Sequence, residues 1–159
     1  MKKSIVLLGL VMCSFIGYGQ NQIKILPTEN QIVLGPFAGS RDLAFGVQNI
    51  LEEILQDKGY DLFPNAETSI KIELLYFDVI KNNIQIAAFG KQIDITQIIA
   101  RASLYKNGKK KKQVTAKGQA KSISTATLII DEGGKFSQAN VSTAIKKLCE
   151  QLVEKLKIK

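Results

Sequence analysis

Histidine is absent from this sequence. That excludes Ser-His-Asp and Cys-His catalytic arrangements and removes the commonest transition-metal ligand. Cysteine is nearly absent too: Cys13 and Cys149 are the only two, too few for a thiolate zinc site. The three prolines, Pro27, Pro36 and Pro64, fall between apolar runs, where they mark turns or breaks. Carboxylates are outnumbered, 14 against 22 lysines and arginines, and they show no pairing motif. Glu52, Glu53 and Asp57 belong to a helix surface, while Asp61, Asp78, Asp131 and Glu132 stand near turns and strand ends. Solvated charges are the simpler reading than a two-carboxylate hydrolase. Gly133-Gly134 before the last helix is a weak anion-binding signal, opposed by Asp131 and Glu132. The expectation is a protein that is not an enzyme and carries no cofactor or metal.

What is present begins with an address. Lys2 and Lys3 precede an apolar stretch from Ser4 to Ile16, too short to span a bilayer comfortably. Gly17-Tyr18-Gly19 places small residues at the −3 and −1 positions of a signal-peptidase site. A signal peptide over 1–19 and a single domain over 20–159 are therefore expected. Cys13 follows Leu10-Val11-Met12 and offers lipidation as an alternative. Met12 is larger than the residue a lipid-attachment site wants, and the apolar run continues to Ile16. No second long apolar run follows, so no transmembrane segment is expected after signal removal. The formal net charge of +8 falls by two with Lys2 and Lys3 and stays basic. For an exported chain, an envelope protein, anionic lipid or lipopolysaccharide is then a better partner than nucleic acid. Cys149, left alone, reads as a small buried side chain beside the last helix's apolar face.

In chain order, Ile23, Ile25, Ile32 and Leu34 alternate around Pro27-Thr28-Glu29-Asn30, as two short strands joined by a turn or one kinked strand. Ser40 is a candidate N-cap, with Asp42 in the first turn, for a helix over 41–58. Its apolar face is Leu43, Val47, Ile50, Leu51, Ile54 and Leu55, and Gly59 is its expected left-handed C′ residue. Gly46 inside it could permit close approach to a sheet. Tyr60 to Phe63 is a short extended piece, and Pro64-Asn65 turns the chain. A strand through Ile70, Ile72, Leu74 and Tyr76 becomes apolar on both sides toward Phe77. Lys81-Asn82-Asn83 is a turn candidate. Residues 122–136 read as a loop with a short strand or lid. A final helix over 140–157, capped by Ser137 or Asn140, buries Val141, Ala144, Ile145, Leu148, Leu152, Val153 and Leu156.

Between these elements lies the strongest local signal, Asn107-Gly108 flanked by two alternating runs over 91–125, a long hairpin. Ile93 and Ile95 keep an odd apolar phase whereas Ile98, Ala100, Ala102 and Leu104 keep an even one, which predicts a bulge near Thr96-Gln97. The inward residues of the second strand (Val114, Ala116, Gly118, Ala120) are small, as close helix packing requires. Just past the turn come Lys109, Lys110, Lys111 and Lys112, with Lys106 before it. Lys117 and Lys121 occupy the outward phase of the same strand. These seven are the candidate contact residues for an anion or partner, and they also discourage edge-to-edge pairing. With no aromatics between them, a nucleic-acid stacking platform is not expected.

Together these elements make an α+β domain in which a mostly antiparallel sheet carries two helices on one face. The order of elements resembles the small bacterial envelope lipoproteins of the YajG type, more distantly the LptE family, and the N-terminal domain of TolB in fold. Asn49 to Tyr60, the hairpin at Tyr105-Lys106-Asn107-Gly108, and Ala144-Ile145-Lys146-Lys147-Leu148 carry the resemblance. The signal ending before Gln20-Asn21 is similar to that of exported Bacteroidetes proteins. The chain departs from the lipoprotein pattern in lacking a good lipobox. The resemblance implies an accessory or assembly role in the periplasm or at the outer membrane, and no catalytic residues.

Overall fold

The computed structural model describes residues 21–35, 42–86, 89–126 and 137–158. The signal peptide expected over 1–19, the cap Ser40 and most of the predicted loop, from residue 127 to 136, lie outside the described residues. Eight elements follow in order: β1 Gln22–Ile25, β2 Glu29–Leu34, α1 Ala44–Asp57, β3 Asp61–Leu62, β4 Thr68–Ile86, β5 Phe89–Lys106, β6 Lys109–Ala126 and α2 Gln138–Leu156. The expected α+β class is present. One mixed sheet in the order β3-β1-β4-β5-β6, with β2 also on β4, packs both helices against one face. Most of its pairing is the antiparallel meander β4–β5–β6.

β1 and β2 are two pieces of one interrupted strand along the same side of β4. β1 aligns Lys24 with Ser69, and β2 aligns Glu29 with Glu73, both parallel to β4. They do not pair with each other as a hairpin but follow one another along β4, and α1 with β3 forms the crossover that a parallel return requires. β3 adds a short parallel pairing outside β1.

Local chemistry explains the helix ends. α1 starts at Ala44, whose N–H donates to Asp42 Oδ1 at 2.9 Å, so Asp42 precedes the first turn instead of lying in it. At the other end Gly59, with φ of 81°, donates to the Gln56 carbonyl (2.9 Å), and Tyr60 N–H donates to Leu55 (3.0 Å). This is the Schellman closure that a C′ glycine allows. Ser137 caps α2, its Oγ accepting from Asn140 N–H. Val47, Leu51, Ile54 and Leu55 from α1 and Val141, Ala144, Ile145, Leu148 and Leu152 from α2 are buried with Ile70, Ile72, Phe77 and Ile98 of the sheet.

Gly118 sets how close α2 lies to the sheet. A Cβ there would run into the Ala144 carbonyl and stand 2.8 Å from Leu148 Cβ. Gly46 differs from expectation: it faces Ile145 of α2, with room for a methyl group at 3.5 Å.

The predicted bulge near Thr96-Gln97 is absent, because β5 pairs without a slip there on both sides. The phase change sits instead in β4, where Leu75 is an extra residue between Leu74 and Tyr76. The core side therefore passes from Ile70, Ile72 and Leu74 to Phe77 and Val79. A second slip leaves Lys111 extra in β6. Lys81-Asn82-Asn83 does not turn the chain. It pairs with Asp94, Ile93 and Gln92 inside β4.

Candidate functional site

The Asn107-Gly108 turn has φ values of 52° and 71°, the left-handed pair that lets a two-residue turn match strand twist. Lys106 and Lys109 pair across it. Lys106, Lys109, Lys110 and Lys111 are exposed and Lys112 is half-buried. Lys110 donates to Gln113 Oε1 at 3.2 Å. The tip is anchored, since Asn107 N–H donates to the Glu67 carbonyl at 2.8 Å, holding it beside the turn at Pro64-Asn65. Lys58, exposed at the end of α1, is brought to the same end of the sheet because Asn21 Nδ2 donates to the Gly59 carbonyl. Asp57, Asp61 and Glu67 are exposed there as well, and Tyr60 Oη, donating to the Ile158 carbonyl at 2.8 Å, brings the exposed Lys157 to the same end.

Lys117 and Lys121 are elsewhere. They align with Ile99 and Ile95 on the sheet face opposite the helices, and both are exposed. The seven candidate lysines thus form two groups: five at the hairpin end and two higher on the open face, with Gln113, Thr115 and Gln119 in the outward positions between. Edge protection is visible too: Lys155 Nζ donates to the Thr115 carbonyl at 2.9 Å, occupying a group on the outer strand.

The open face is more apolar than the lysine pattern suggested. Ile123 is 60 % exposed and Val33 67 %, while Ile80, Ile93, Ile95 and Ile99 are half-buried on the same side. Gln119 donates to Gln97 between them at 2.9 Å. Lower on this face Arg101 meets Glu73 at 3.3 Å, and at the edge Lys71 meets Glu29 at 2.6 Å. That contact raises the Lys71 pKa, chiefly through its hydrogen bond. Tyr76 donates to Asp78 Oδ2 at 3.0 Å, and burial with this bond raises the Tyr76 pKa.

Sequence reasoning missed a polar row on the helix-facing side of the sheet. Gln92, Asp94 and Thr96 are buried, with Gln92 Nε2 donating to Asp94 Oδ1 at 2.8 Å and Lys81 aligned opposite Asp94. Their even numbering continues the phase of Ile98, Ala100 and Ala102, the signal that would have found them. Cys149 is fully buried, with its thiol 3.8 Å from the Val47 carbonyl. Burial pushes its pKa up to about 12, so it is no nucleophile at neutral pH. A cleft of about 230 Å³ lies beside Ile23, Ile25, Leu62 and Phe63, with Lys24 and Glu52 as its charged lining. Among the described residues no group of acidic side chains and cysteine could hold a metal ion, and no helix is long and apolar enough to cross a membrane.

No family model matches the sequence, and no curated relative does. The fold is similar to that of protein XCC0632 from Xanthomonas campestris (10 % identity, TM-score 0.51, covering 89 % of this chain and 85 % of that one). It is also similar to hypothetical protein CT253 from Chlamydia trachomatis (10 % identity, TM-score 0.50, covering 86 % and 95 %). A looser similarity joins it to lipoprotein GNA1162 from Neisseria meningitidis (16 % identity, TM-score 0.45, covering 64 % and 83 %). At 10 % identity, what the first two share with this chain is the α+β fold alone.

Proposed function

We propose that this protein is a non-enzymatic exported envelope protein, an accessory or assembly factor of the YajG or LptE kind. It acts by binding a partner protein in the periplasm or at the outer membrane. The N-terminal signal supports the location, and the absence of histidine supports the lack of catalysis. The observation that carries the binding role is the one-sided packing of the sheet. Both helices cover the same face, and the opposite face presents Val33, Ile93, Ile95 and Ile123 with no covering element among the described residues. An apolar patch rimmed by polar groups, here Gln97, Gln119, Lys117 and Lys121, is what a protein contact uses.

The test is site-directed photo-crosslinking in cells from position 123 of the full chain, with position 142 on the outer side of α2 as control. A discrete envelope adduct from 123, absent from 142 and abolished by Ile95→Lys, is expected. Equal or no adducts from both positions would refute the reading.

A further inference from the structure

Several features distant in sequence converge at the hairpin end of the sheet. The Asn21 carbonyl, where residues 1–20 join the described fold, accepts from Asp61 N–H at 3.0 Å. Beside it Phe63 N–H donates to the Ile23 carbonyl at 3.0 Å. This fixes the Phe63 backbone at the start of the Pro64-Asn65 turn, where the residue is 44 % exposed. The same turn is locked to the hairpin tip by the bond from Asn107 N–H to Glu67. Lys106 and Lys109 to Lys112 follow directly.

We infer that this end is a membrane-contacting pole, which lies on a bilayer carrying anionic phospholipid with its lysines over the phosphates and Phe63 in the interfacial layer. The contact chemistry favours a lipid surface over an acidic protein face. The lysines project from a turn instead of lining a groove, and flexible point charges suit a diffuse anionic surface. An exposed aromatic beside them is the apolar element that peripheral membrane contacts add to electrostatic attraction. The backbone bonds fix Phe63 and the hairpin tip relative to each other, so both reach the surface in one orientation. Lys117 and Lys121, on the open face, take no part. The inference stands apart from the partner reading, because a bilayer at this pole leaves the open face free.

The experiment is co-sedimentation of the exported protein, expressed as the full chain and recovered from the envelope, with vesicles. One set is phosphatidylcholine and the other phosphatidylcholine mixed with phosphatidylglycerol, each at low ionic strength and at about 0.15 M. Saturable binding to the mixed vesicles alone is expected. Each lysine at such a surface contributes roughly fivefold in affinity. Changing Lys109 to Lys112 together to Gln therefore weakens binding by at least tenfold, and by up to about a thousandfold before screening. Phe63→Ser weakens it by about tenfold, and Lys146→Gln with Lys147→Gln, exposed on α2, leaves it unchanged. Melting temperatures matched to the parent protein would show that the losses are not unfolding. Phe63→Ser, outside the hairpin, keeps the test decisive if the lysine variant fails to fold. Undiminished binding by the Lys109–112 or Phe63 variant, equal binding to pure phosphatidylcholine, or recovery of an acidic protein without any vesicle binding would overturn the inference.

Discussion

Gly118→Ala is the substitution whose consequence follows most directly from the structure. Its added Cβ would stand 2.8 Å from Leu148 Cβ and 2.9 Å from the Ala144 carbonyl carbon, and would overlap the Ala144 oxygen. Carbon atoms prefer roughly 3.5–4.0 Å, so the backbone of α2 must retreat by about 1 Å or more. A gap of that order forfeits about a quarter to a half of each van der Waals contact along the face. That face includes Val141, Ala144, Ile145, Leu148 and Leu152, all buried. Overpacking of this kind costs about 1–3 kcal/mol, and a backbone obstacle puts Gly118 near the upper end. Against a total stability of roughly 5–15 kcal/mol, about 3 kcal/mol lowers the melting temperature by about 10 °C in a domain of this size. Thermal and urea unfolding of the protein would measure it, with the urea m-value unchanged if only the folded state is affected. A melting temperature within about 2 °C of the parent would show that helix and sheet are not in the contact described.

Two further predictions bear on the helices. Gly46→Ala stabilises by about 0.5–1 kcal/mol, because a helix-interior glycine is replaced where the nearest obstacle is a side-chain methyl at 3.5 Å. A lower urea midpoint for that variant would contradict this packing. Cys149, raised from 9.0 to about 12 by burial, makes stability pH-dependent. Below pH 9 both states hold the thiol proton; above it the unfolded chain loses the proton first. Stability then falls between pH 9 and 12 by about 1.4 kcal/mol per unit. Urea titrations across that range should show a shallower alkaline decline for Cys149→Ala than for the parent, and parallel declines would refute the burial argument.

Much of the fold was legible because it is local. Asn107-Gly108 announced its turn, Gly59 its helix end, and the spacing of Val141, Ala144, Ile145, Leu148 and Leu152 its buried face. The small inward residues of β6 correctly marked a close helix approach, with Gly118 at its tightest point. Apart from the start of α1, where Asp42 precedes the first turn, the misreadings concern partners distant in sequence. Ile93 and Ile95 read as an inward phase interrupted by a bulge, whereas they face outward and the buried positions are Gln92, Asp94 and Thr96. An alternating strand states that its two sides differ. When one side is apolar isoleucine and the other is polar but covered, hydrophobicity points to the wrong side. Lys81-Asn82-Asn83 looked like a turn by composition, yet cross-strand pairing with β5 overrode local preference. The candidate site was legible as residue types and only partly as a surface. The lysines beside the turn share one end, but Lys117 and Lys121 follow the strand onto another face.

The chain by itself determines the absence of histidine chemistry, the hairpin turn and the apolar face of each helix. Each depends on composition or on residues within a few positions of one another. Tertiary structure alone decides that β1 and β2 run parallel to β4, and that both helices take one side and leave isoleucines on the other. It also decides that Phe63, Asn21 and the lysine hairpin share an end. Those arrangements depend on pairings across tens of residues, where register and crossover geometry, not local preference, select the outcome.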